Sequence, residues 1–127
     1  MREIKGIAIH CSDSPDSQDF GFKDINEWHK QRGFKSPSGI HCGYHYIVRR
    51  NGTIERGRPD SEIGAHVEGH NAKTLGVVWI GRQAPPTVQA AALAQIVHAL
   101  MVKYTVPIDK IPGPCDFHDV PLLCPLL

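Results

Sequence analysis

Residues 75–81 read LGVVWIG, an apolar run without a break. A strand with one face in water alternates polar and apolar side chains, so an unbroken run of this length suits a strand covered on both faces, at the centre of a sheet. The rest of the fold follows outward from it. Downstream, TVQAAALAQIVHALMVKYT over residues 87–105 has helical spacing, with Thr87 as the expected N-cap and Val88, Ala91, Leu93, Ile96, Val97, Leu100 and Met101 as its apolar positions. Val106-Pro107 ends it. Upstream, SEIGAHVEGHNAKT over residues 61–74 is a polar loop rich in glycine and histidine, and loops beside central strands are common seats of function.

Further upstream, GYHYIVRRNGTIERG over residues 43–57 reads as two strands joined at Asn51-Gly52, a strong hairpin signal. Strand alternation puts Tyr44 and Tyr46 on one face and His45 on the other. KDINEWHKQRG over residues 23–33 reads as a helix with Ile25, Trp28 and His29 at helical spacing and Gly33 at its end. EIKGIAIH over residues 3–10 is a short buried strand that delivers His10 at its carboxyl end, just before the turn formers CSDSPDS. No repeat or linker interrupts the 127 residues, so the expectation is one α/β domain over residues 1–127, a central mixed β-sheet flanked by helices.

Charge narrows the partners. Fourteen Lys and Arg against 13 Asp and Glu leave a net charge of +1, with no global field to draw the chain to nucleic acid or to an anionic membrane. The opening residues carry neither the apolar length of a membrane anchor nor the pattern of a signal peptide, so production in the cytoplasm is expected; the chain is also expected to be a monomer. The four cysteines, Cys11, Cys42, Cys115 and Cys124, are then expected as thiols.

Eight histidines in so short a chain ask for individual reading. His10 at a strand end, His66 and His70 in the polar loop, and His118 with Cys124 near the end of the sequence are candidate zinc ligands, because zinc accepts imidazole and thiolate. Their spacing is not that of a zinc finger. Ligands drawn from distant segments suit a catalytic site, in which three protein groups leave a fourth position for water. For any one histidine the plainer alternative is a ring that satisfies a local hydrogen bond.

Taken in order, IAIHCSDS, GFKDINEWHKQRGF, GYHYIVRRNGTIERGR, IGAHVEGHNAKTLGV and a final CP resemble the zinc-dependent N-acetylmuramoyl-L-alanine amidases, which include amidase-type phage endolysins and peptidoglycan recognition proteins. The resemblance implies hydrolysis of the amide between N-acetylmuramic acid and L-alanine by a zinc-activated water, with peptidoglycan as the partner. It implies His10 and Cys124 as zinc ligands, Tyr44 as the catalytic tyrosine, His66 lining the substrate cleft, and His70 and Asn71 supporting the same loop. Two positions depart from the family pattern. Pro114 stands where relatives carry a ligand histidine, and Leu122 where they carry a lysine that stabilises negative charge. Two explanations stay open: His118 takes over as the third ligand, or the site is incomplete and the chain is a peptidoglycan-binding module. A regulator that binds another protein is a third class, and nothing in the sequence marks a surface for it.

Overall fold

The computed structural model describes residues 1–110, which form a four-stranded sheet between two helices. The elements run β1 (Gly6–Cys11), α1 (Phe22–Gln31), β2 (Tyr46–Val48), β3 (Ile54–Arg56), β4 (Thr74–Trp79) and α2 (Thr87–Tyr104), with a short 3-10 turn at Asn71–Lys73. The sheet order is β1-β4-β2-β3. β4, the unbroken apolar run, lies between two parallel neighbours, and β3 closes the edge antiparallel to β2. The mixed sheet expected from the sequence is therefore present.

Alternation divides the sheet into two faces. Ile7, Cys11, Leu75, Val77, Trp79, Tyr46 and Val48 pack with Ala92, Leu100 and the other inward residues of α2. Ile47, Val78 and Ile80 pack on the opposite face with Ile25 of α1 and with Cys42. His10 is paired with Val78 and shares that second face, so the strand that builds the core also carries the ring into the site.

Four local expectations change. The N-cap of α2 is Pro86 rather than Thr87, which is the first helical residue. Val88 is 55% exposed and Ala91 is also exposed, whereas Ala92 and the polar Gln89 are buried. Gln89 is inside because its amide donates to the carbonyls of Val48, the last residue of β2, and Ile80, just past β4, both at 2.9 Å. At the hairpin, Gly52 alone takes a positive φ, 89°, and the loop runs through Arg50, Asn51 and Gly52, closed by the Arg49 amide on the Thr53 carbonyl at 2.8 Å. That is the three-residue loop with a left-handed glycine, not a two-residue turn.

The fourth change concerns Tyr44 and Tyr46, which pack on opposite sides: Tyr46 with the α2 cluster, Tyr44 with the α1 cluster. β2 starts only at Tyr46, and the chain before it is bent out of strand geometry by α1. Asn26 accepts the amides of His41 and Cys42 at 2.8 and 2.9 Å, and His29 Nδ1 accepts that of Gly43 at 2.7 Å. Alternation fails where the backbone bonds to a helix instead of to a strand.

Candidate functional site

His10 is 1% exposed and sits at the carboxyl end of β1. Its Nε2 lies 2.9 Å from Nδ1 of His66, and the two rings meet edge to face. Its other nitrogen, Nδ1, is buried with no hydrogen-bond partner among the described residues. A buried polar atom without a partner is costly, so such an atom points to a ligand or ion that completes it. The Tyr44 ring centre is 5.3 Å from that of His10 and 5.5 Å from that of His29.

His66 reaches His10 because the sheet and the loop leave room for it. A Cβ on Gly76 would lie 2.7 Å from the His66 ring, and one on Gly64 would lie 2.6 Å from it. The loop that carries His66 is held by Asn71, whose Oδ1 accepts the amides of His66 and Val67, both at 2.9 Å. His70 is exposed, and its carbonyl accepts the Thr74 hydroxyl at 2.7 Å. The structure thus brings His10, Tyr44 and His66 together, and places Asn71 and His70 in the loop behind them. Cys124 and His118, with Pro114 and Leu122, lie outside the described residues.

Burial governs the protonation of this group. It lowers His10, His29 and His45 to about 4 each, and holds His66 well below its usual value, with the neighbouring His10 and His45 adding to the effect. All four rings are neutral at pH 7, the state in which imidazole can coordinate a metal. Burial also raises the Tyr44 phenol, aided by the nearby Cys42 and Cys11, so its hydroxyl remains a donor at neutral pH. The Cys42 thiol is pushed up to about 11 by burial and is no nucleophile.

The sequence reading missed two supports. His29 was placed on the face of a helix, yet its ring holds the Gly43 amide and thereby the backbone that leads into Tyr44. His45, buried completely, takes the Gly76 amide on Nδ1 at 3.0 Å and gives its Nε2 proton to the Glu62 carbonyl at 2.8 Å, and its ring stands against that of His66. Beside Tyr44 opens a cleft of about 160 Å³ lined by Ser12, Ile25, Trp28, His29 and Arg32. Trp28 and Arg32 give it an aromatic wall and a cation.

The profile of one protein family, described as N-acetylmuramoyl-L-alanine amidase, matches residues 1–123. The chain belongs to that amidase family. The endolysin of Klebsiella phage KP32 is 34% identical over 132 residues, spanning 94% of this chain and 84% of the relative. The endolysin of Enterobacteria phage K11 is 38% identical over 80 residues, 63% of this chain and 50% of its own length. Among solved structures, the N-acetylmuramoyl-L-alanine amidase LysC from Clostridium intestinale URNW is 29% identical with a TM-score of 0.78, covering 94% of this chain and 73% of that one. Drosophila PGRP-LB has the same fold, with a TM-score of 0.73 at 23% identity, covering 89% of this chain and 70% of that one.

Within the amidase family frame, a zinc ion is the group to test against these residues. No set of three His, Cys, Asp or Glu is arranged for a metal among the described residues. One ligand position does fit: His10 is neutral, oriented through Nε2, and carries a buried lone pair on Nδ1 with nothing else to receive it.

Proposed function

We propose that this chain hydrolyses the amide between N-acetylmuramic acid and L-alanine in peptidoglycan, as an endolysin-like enzyme using zinc held by His10, Cys124 and His118. The observation that supports it most is the unpartnered Nδ1 of His10 beside Tyr44, on the frame of the amidase family. When bound, zinc supplies a water acidified from about 15.7 toward roughly 7 and polarises the scissile carbonyl. His10 presents its lone pair to the metal while its far side is fixed by His66. Tyr44, protonated at neutral pH, donates to the oxygen on which negative charge develops, or passes a proton toward the leaving amine. Asn71 and His70 belong to the loop that holds His66 in place, and the cleft by Trp28 and Arg32 receives part of the substrate.

The test is the release of new L-alanine amino termini from purified peptidoglycan, with zinc added and with a chelator as control. Zinc-dependent release that His10→Ala abolishes is the expected result. Folded protein that binds peptidoglycan and releases nothing would overturn hydrolysis and favour the second reading, a binding module, for which Pro114 and Leu122 are the specific residues. If the enzyme works through a substitute ligand and without the lysine, P114H with L122K raises turnover. A double variant that binds zinc fully and gains no activity would sink this part of the reading.

A further inference from the structure

The hydrogen bonds around His66 determine which nitrogen of His10 is bare. The Thr74 hydroxyl stands 2.7 Å from the carbonyl of His70, and a carbonyl only accepts, so the one hydroxyl proton of Thr74 is committed to it. Nε2 of His66 lies 3.4 Å from the same hydroxyl oxygen, which is left as an acceptor, so that nitrogen carries the ring proton. In a neutral ring Nδ1 of His66 is then unprotonated, and it meets Nε2 of His10 at 2.9 Å. His10 must supply the proton of that bond. Its own proton therefore sits on Nε2, and its buried Nδ1 is a free lone pair. The opposite direction fails at the far end, where two oxygens 2.7 Å apart would have no hydrogen between them.

We infer that Thr74 and His66 are positioning residues, a one-way relay from His10 to the His70 carbonyl that locks His10 in its Nε2–H tautomer and aims Nδ1 at a metal. The link to metal rests on the zinc reading above; the tautomers do not. The relay also explains why the loop and the strand are tied at this point: the carbonyl that ends it belongs to the residue opening the Asn71–Lys73 turn, and the hydroxyl belongs to the first residue of β4. Buttresses of this kind typically change metal affinity by about 10- to 100-fold when removed.

Long-range proton–nitrogen NMR on the metal-free wild-type protein reads both tautomers directly. Nε2–H on His10 and on His66 is expected, and Nδ1–H on His10 overturns the relay. Thr74→Val keeps the shape and removes the hydroxyl; it is expected to admit the Nδ1–H tautomer at His10 and to weaken zinc binding about 10-fold by chelator competition. Thr74→Ser, which keeps the hydroxyl, restores both. A valine variant with unchanged tautomers and unchanged zinc affinity would remove Thr74 from the role. Wild-type protein with both tautomers as inferred but no uptake of zinc would overturn the metal reading and uphold the relay.

Discussion

Tyr44 and Gly76 separate two kinds of residue at this site. The Tyr44 ring is packed against His10 and His29, and what it offers chemically is a hydroxyl that burial keeps protonated. Tyr44→Phe keeps the packing and removes the donor. It is expected to lower turnover about 100-fold while leaving zinc affinity and melting temperature near the wild-type values; steady-state kinetics beside a metal titration check this, and an unchanged turnover would exclude the phenol from the chemistry. Gly76 acts by having no side chain. A methyl group there would sit 2.7 to 2.9 Å from three atoms of the His66 ring, and β4 cannot retreat because it is bonded on both sides. Gly76→Ala is expected to destabilise the fold by about 1–3 kcal/mol, the usual cost of overpacking, measurable by urea unfolding. A wild-type midpoint would mean that the ring moves aside freely, and that it is not pinned as the hydrogen bonds indicate.

At the level of elements, the helix α1 acts on the site through backbone. Its Asn26 and His29 take three consecutive amides, those of His41, Cys42 and Gly43, and Arg58 grips the carbonyls of His41 and Cys42 from the other side. Asn26→Ala leaves two amides without their acceptor, a cost of about 1–3 kcal/mol for groups this sheltered. Because the same three residues lead into Tyr44, turnover is expected to fall further than the lost stability accounts for; kinetics at a temperature where the variant is fully folded separate the two. These contacts also mark the limit of what could be read beforehand. β1, β4, both helices and the hairpin are legible because each is announced by its own local pattern of apolar residues, turn formers and spacing. The kink before Tyr46 is not, because its cause lies 14 to 16 residues earlier on another element. Gln89 misleads for the same reason: a polar residue reads as outward until the Val48 and Ile80 carbonyls are found within reach of its amide.

For the molecule as a whole, the neutral histidines set how stability depends on acidity. His10 and His66 are 56 residues apart, so their contact is a property of the finished fold and no spacing in the sequence announces it; what the sequence offers is the histidine count and the two glycines that make room. Burial is the leading cause that brings His10, His29 and His45 from the usual 6.5 to about 4. The unfolded chain binds these protons near pH 6.5 and the folded chain does not until about pH 4, so the favourable term is fully present above pH 6.5 and is lost as pH falls through that window. Carboxylates act lower. Burial alone would raise Asp60, but bonds from the Tyr104 and Tyr46 hydroxyls hold it below its usual 3.8, and its contribution is lost only at still lower pH. Metal-free protein is therefore expected to lose stability steadily from about pH 6.5 downward, well before Asp60 titrates. Urea midpoints measured between pH 8 and pH 4 test this. A midpoint that stays level until pH 4 would mean that the folded rings take up protons as readily as the unfolded chain does, which His10 and His66 cannot both do without setting two N–H donors against each other at 2.9 Å.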